Sequence, residues 1–180
     1  MTNERVWVAD TSSILHVRRC VNPPDARLVH AERKRVFQRL TQLVEQGRLI
    51  FPTETFNELK EGNKKLKDPG ADHPFAFVDG CKDKAMCEAR LDIVQELVSH
   101  DLVRRVVDPD AEGDEADIYV LAVAVELQRE GREVGVLTQE RNDHPRKLSV
   151  NTACGVLQLV CLPMQALLHQ EDIWKWTFTS

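Results

Sequence analysis

An α/β domain built on a parallel sheet is the fold class that this 180-residue sequence predicts, and three observations predict it. Four short apolar runs, "RVWVAD" (5–10), "RLIFP" (48–52), "EVGVLT" (133–138) and "LVCLP" (159–163), have strand length and too little polarity for a solvent face. Helical stripes of apolar residues lie between them, which is the order that parallel strands need for their crossovers. Hydrophobic residues make up 42% of the chain and charged residues 29%, so a proper core and a well-solvated surface are both available.

Each element has a local reason. After the strand ending at Asp10, "TSSILHVRR" begins with hydroxyls suited to capping a helix. "PPD" (23–25) breaks the chain. From Ala26 to Gln46 the positions Val29, Val36, Leu40, Leu43 and Val44 form a helical stripe, which Gly47 stops. "TETFNELKEG" (53–62) reads as a short helix with Thr53 as cap and Gly62 as stop. "NKKLKDPGADHP" is a charged loop, and 82–105 reads as one or two helices. "VVDPDAEG" is a turn before a helix over 114–131. "QERNDHPRK" is a loop, "TACGVLQ" a short helix, and "MQALLHQEDIW" a last helix.

Length predicts a single domain over 1–180. The net charge of −5 gives no global basic signature, so any nucleic-acid contact would rest on local patches. Five cysteines without a CxxC pair point to reduced, mostly buried thiols. The start "MTNERVWVAD" has no signal-peptide pattern and no apolar run reaches membrane-spanning length, so a cytoplasmic protein is expected. GxxxxGK[ST], GxGxxG and GxSxG are all absent, which leaves nucleotide-cofactor and serine-hydrolase chemistry unsupported. Cys81, Cys87, His73 and Asp79 lack zinc-site spacing.

The carboxylates carry the functional signal. "GDEADIYVLAVAVEL" (113–127) crowds Asp114, Glu115 and Asp117 at the head of an apolar helix. Asp114 and Asp117 fall on one helical face, and Glu115 points elsewhere. A helix dipole welcomes acids at its start, but Asp117 persists into the apolar pattern. Asp10 ends the first strand, Glu58 follows the second, and Glu140 lies just beyond Thr138 at the end of the third. Each acid alone has an ordinary role as a cap or a solvated residue. Together they can reach one edge of the sheet, outside the carboxyl ends of its strands, where such folds bind ligands. Carboxylates gathered there cannot all ionise without a cation. Oxygen donors suit Mg²⁺ or Mn²⁺, and that combination points to metal-assisted hydrolysis of a phosphate ester.

Four stretches in order, "VWVADTSSIL", "FNELKEG", "DEADIYVLAVA" and "VGVLTQE", resemble the motifs of the PIN domain, the fold of VapC-type toxin ribonucleases. The closing "LSVNTACGVLQLVCLPMQALL" is similar to the tail of a PIN-like subfamily of prokaryotic proteins. The resemblance implies a three-layer fold with a central parallel sheet of about four strands flanked by helices. It implies a Mg²⁺- or Mn²⁺-dependent endoribonuclease, the toxin of a toxin–antitoxin pair, acting on RNA. A small antitoxin partner and a homodimer come with it. Carried over, Asp10, Glu58 and Asp117 would be the core ligands, with Asp114 as an extra ligand or a supporting acid. Glu140 would hold the fourth catalytic position, and Thr11, Ser12 and Thr138 would lie near metal or phosphate. Two departures from the family pattern leave the number of metals open: the fourth acid is Glu, and the third position is shared between Asp114 and Asp117.

Cationic groups for RNA are local. Lys64, Lys65 and Lys67, in the lysine-rich stretch that Lys60 begins after Glu58, are the first choice for binding phosphates. Arg146 and Lys147 come second, and Arg18 and Arg19 third. The groups Arg33, Lys34, Arg35 and Arg39, and Arg104 with Arg105, read as solvated faces. Trp174, Trp176 and Phe178 form either a partner surface or a packed tail. Two rival functions stand beside the nuclease. One is a PIN-like RNA- or protein-binding module with a weak or silent site. The other is a metal-dependent phosphatase beginning at "VADTSS", against which Ser12 stands where a second Asp is wanted.

Overall fold

The structure is a computed structural model, and it describes residues 4–21, 28–63, 70, 72–107 and 116–174. Its centre is a parallel sheet of five strands: β1 (Val6–Ala9), β2 (Leu49–Pro52), β3 (Met86–Cys87), β4 (Val134–Leu137) and β5 (Val160–Leu162). They lie in the order β3-β2-β1-β4-β5. The chain therefore lays strands outward on one side of β1, then returns to add β4 and β5 on the other. That reversal puts a topological switch point at the carboxyl ends of β1 and β4, the place where open parallel sheets bind ligands.

Eight α-helices flank the sheet among the described residues. On one face α1 (Thr11–Cys20), α2 (Val29–Glu45), α3 (Thr53–Asn63), α4 (Pro74–Ala85) and α8 (Met164–Gln170) pack against Trp7, Ala9, Leu49, Phe51 and Leu137. On the other, α5 (Leu91–Ser99), a 3₁₀ turn (Val103–Val106), α6 (Ala116–Arg129) and α7 (Val150–Val156) pack against Val8, Val134 and Val136. Alternate residues of β1 and β4 thus feed opposite cores, which explains why both strands are apolar throughout. The arrangement is three-layered α/β, as expected.

The strand count differs by one. Only two residues, Met86 and Cys87, make β3, pairing with Phe51 and Pro52 at the sheet's edge. Two residues carry no periodicity, so the stretch 82–105 reads as helix from sequence alone. In the structure a helix ends at Ala85, the edge strand follows, and α5 with the 3₁₀ turn completes the segment. Thr53 opens α3 but its hydroxyl does not cap it; it donates to the Cys87 carbonyl at 3.3 Å and ties α3 to β3. Likewise α1 is capped by Asp10, not by a hydroxyl. Gly62 does not stop α3, which runs on to Asn63. The stop at Gly47 (φ 68°) holds, just past α2, and Gly131 (φ 79°), expected inside its helix, instead takes the left-handed conformation just past α6.

One glycine is a packing requirement. A Cβ on Gly135 in β4 would lie 2.4 Å from Cζ3 of Trp7, its neighbour on β1. The fully buried indole covers the bare backbone of Gly135, so both sequence features serve one close approach. The cysteines are free; Cys20, Cys81 and Cys154 are buried, Cys87 and Cys161 half-buried. Trp174 packs against the α1–α2 core, while Trp176 and Phe178 lie outside the described residues. No helix among the described residues is long and apolar enough to cross a membrane.

Candidate functional site: a carboxylate cluster at the switch point

Asp10 follows β1 directly and is 1% exposed. Its carboxylate caps α1, accepting from the Ser13 amide at 2.6 Å and the Ser12 hydroxyl at 2.8 Å. The Thr138 hydroxyl donates to it as well. Burial pushes the Asp10 carboxyl above its ordinary value, and these donors pull it back. The backbone fixes the register: the Asp10 amide donates to the Leu137 carbonyl at 3.0 Å, which sets the ends of β1 and β4 level.

The end of β4 supplies the next group. Thr138, fully buried, accepts the Glu140 amide on its hydroxyl at 3.0 Å. The Gln139 amide donates to Ser12 Oγ at 3.0 Å. Glu140 is thereby turned toward the first turn of α6. There Asp117, whose side chain is 15% exposed, accepts from Lys147 Nζ at 2.7 Å. The same ammonium lies 3.5 Å from Glu140 Oε1. Lys147 is held in place by its loop. Asp143 accepts the Ser149 amide at 2.9 Å and its hydroxyl at 2.8 Å, Ser149 caps α7, and Leu148 N donates to the Arg105 carbonyl at 2.7 Å.

Asp117 is perturbed in the same direction as Asp10. Burial, then the facing Glu140, and more weakly Asp10, push its carboxyl up to about 7, although Lys147 acts in the opposite direction. Among the described residues one ammonium is thus set near three carboxylates, bonded to Asp117 and close to Glu140, and Asp117 stays raised despite it.

Glu58, one and a half turns into α3, bridges two of the motifs. It accepts the Thr11 hydroxyl on Oε2 and the Ala116 amide on Oε1 at 2.9 Å, so it joins the residue after Asp10 to the residue before Asp117. The structure therefore gathers Asp10, Ser12, Thr138, Glu140 and Asp117 at one sheet edge, with Thr11 and Glu58 alongside. The hydroxyls of Thr11, Ser12 and Thr138 are engaged with these carboxylates. Asp114, Lys64, Lys65 and Lys67 lie outside the described residues.

Lys147 is the group that sequence reading did not place. It reads there as a surface cation for phosphates, whereas it is 20% exposed and bonded inside the cluster.

Whether a divalent cation suits this place turns on the donors. Among the described residues no three Asp, Glu, His or Cys groups are gathered as a ready ligand set, because Lys147 and the Thr11 hydroxyl stand among them. The donors themselves are all oxygen, anionic and short of positive charge, which is the chemistry that Mg²⁺ or Mn²⁺ takes. In kind and charge, the residues fit such an ion.

No curated protein matches the chain. A family model does match, over residues 7–175, and that span takes in all eight described helices and every strand apart from Val6, the first residue of β1. The chain belongs to the family described as Domain of unknown function (DUF4411).

Proposed function

We propose that this protein is a metal-dependent endoribonuclease, hydrolysing RNA phosphodiester bonds at the Asp10–Asp117–Glu140 cluster. The supporting observation is the crowding of negative charge at the switch point: Asp117 and Glu140 share Lys147, Asp10 lies within electrostatic reach of Asp117, and Asp117 is driven to about 7. Ion pairs that serve only the fold are normally balanced, whereas acids held against repulsion mark sites of chemistry. Three of the four PIN-like motifs carry these acids, and the fourth carries Glu58.

In this reading Asp10, Asp117 and Glu58 hold the ion. When bound, Mg²⁺ or Mn²⁺ neutralises the phosphate and makes water a nucleophile at neutral pH. Asp10, locked by three donors, is the fixed ligand. Glu140, the most open of the acids at 36% exposure, takes the proton from the attacking water. Lys147 holds Asp117 and Glu140 together until the substrate arrives, and its ammonium then faces the phosphate. The toxin role, a small antitoxin partner and a homodimer rest on the PIN likeness alone, and a cytoplasmic location on the free cysteines.

A silent PIN-like binding module is the second reading, and Lys147 favours it, since an ammonium already occupies the gap between Asp117 and Glu140. A phosphatase using Asp10 as phosphoryl acceptor is disfavoured by the near-complete burial of that carboxylate. Cleavage of a structured RNA, assayed with Mn²⁺, with Mg²⁺ and with EDTA, separates these readings. The nuclease reading expects metal-dependent cleavage that falls at least roughly a hundredfold in Asp117→Asn, the loss of about 3 kcal/mol of transition-state stabilisation. RNA binding without cleavage in any metal would leave the silent module.

A further inference from the structure

Beside the carboxylate cluster lies a cleft of about 550 Å³ that shares Ser12 and Gln139 with it. Ser12, Leu15, His16 and Arg19 line it at helical spacing, so one stripe of α1 runs from the acids to the cleft's far end. At 1.5 Å per residue, Ser12 to Arg19 spans about 10 Å, more than one nucleotide of an extended strand. Arg18 flanks the stripe, and Arg33 reaches in from α2.

Arg33 donates through Nη2 to the Arg18 carbonyl at 2.6 Å, while its Nε is buried without a hydrogen-bond partner among the described residues. The described lining holds three guanidiniums and no carboxylate, in a chain of net charge −5. Arg18 and Arg19 have an ordinary account, since cations suit the C-terminal end of α1. Arg33 serves that same end through its bond to the Arg18 carbonyl, but it stands near the N-terminus of α2, where the helix dipole opposes a cation. Arg18 also faces Asp72, so Arg19 and Arg33 have the freer charge.

We propose that this α1–α2 cleft seats the phosphate backbone of single-stranded RNA and leads the strand to the carboxylate cluster, an inference that rests on the nuclease reading for the identity of its ligand. Guanidiniums match phosphate oxygens in pairs. Leu15, 48% exposed, and the His16 ring between them offer a sugar or base an apolar face. An apolar face set between a hydroxyl and a guanidinium along one helix stripe fits a phosphate–sugar–base unit better than the irregular charge of an acidic peptide.

The test is fluorescence anisotropy of a labelled single-stranded oligoribonucleotide in EDTA, so that binding is read without cleavage. Arg19→Gln and the double variant Arg19→Gln/Arg33→Gln should weaken affinity, the double at least about tenfold. The slope of log affinity against log salt should flatten by roughly 0.7 per guanidinium lost. Arg129→Gln, which removes a cation paired to Glu96 on the opposite side of the sheet, should change neither quantity. Arg19 is exposed, so the single variant does not threaten the fold, and equal melting temperatures confirm it. An unchanged slope in both arginine variants overturns the proposal, as does an acidic peptide that binds through these arginines where RNA does not. Arginine-dependent RNA binding by a wild-type protein that cleaves nothing in Mn²⁺ keeps the cleft and removes the nuclease reading.

Discussion

Two partly buried ion clusters sit at opposite edges of the same sheet, and they are built differently. At the amino edge Arg48, just before β2, grips Glu171 after α8 with two bonds of 2.9 and 2.5 Å, and its Nε faces Glu4 at 3.3 Å. Both terminal nitrogens are bonded, Nε makes no hydrogen bond among the described residues, and the Glu171 hydrogen bond raises the guanidinium above its ordinary value. At the carboxyl edge Lys147 is a single point charge among Asp117, Glu140 and Asp10, and Asp117 stays pushed up to about 7. Burial is similar, since Arg48 and Glu171 are 16% and 14% exposed, Lys147 and Asp117 20% and 15%. The difference lies in charge balance. The first cluster closes the C-terminal helix onto the sheet; the second holds negative charge in reserve at the switch point, and a cation from solution would complete it.

Removing each cluster's cation sharpens that contrast most. Arg48→Gln and Lys147→Gln should each cost about 2–4 kcal/mol of stability without metal, by leaving partly buried carboxylates unpaired. Added Mn²⁺ should restore stability to Lys147→Gln and leave Arg48→Gln unchanged, as thermal melts with and without metal would show. Equal rescue of both would erase the distinction.

Removing an acid should have opposite signs at the two edges. Glu171→Gln should lower the melting temperature, while Asp117→Asn should raise that of the metal-free protein, because one repelling charge is gone. The pH dependence follows from the same carboxyl. The folded Asp117 holds its proton up to about 7, whereas the unfolded chain releases it near 3.8. Between those values the folded state binds more protons, so stability falls as pH rises through the window and levels off above about 7. The total is of the order of 2–4 kcal/mol, at about 1.4 kcal/mol per pH unit. Urea titrations from pH 4 to 8 on wild type and Asp117→Asn should show the slope in the first and a flattening in the second.

Pairs at the open surface should barely register. Arg129 bonds Glu96 at 2.5 Å, yet both side chains are about half exposed, and Arg129→Gln should leave the denaturation midpoint in urea essentially unchanged.

The two edges were unequally legible in the sequence. β1, β2, β4 and β5 announce themselves as uniformly apolar runs because both faces of the sheet are covered. β3 does not, since two residues at an edge have no period. Asp10, Glu58, Asp117 and Glu140 could be read as converging because strand ends and the helix starts after them fix their positions along the chain. Lys147 could not, because its place is set by a loop held together by Asp143, Ser149 and the Arg105 carbonyl, contacts between residues with no shared pattern. The Arg48–Glu171 fork spans nearly the whole chain, and nothing local points to it. The α1–α2 cleft combines Arg19, which the spacing places after Asp10, with Arg33, which reads from sequence as one more residue of a solvated basic face.

The central claim is that the carboxyl edge lacks a cation that the amino edge does not lack. Melting temperature with and without millimolar Mn²⁺ near pH 7.5, on wild type and Asp10→Asn, tests it most directly. The account predicts a clear rise in wild type that Asp10→Asn largely loses, because occupation of the site stabilises the folded state by mass action. No rise in wild type, or an equal rise in both proteins, would contradict it and leave Lys147 as the cluster's whole complement.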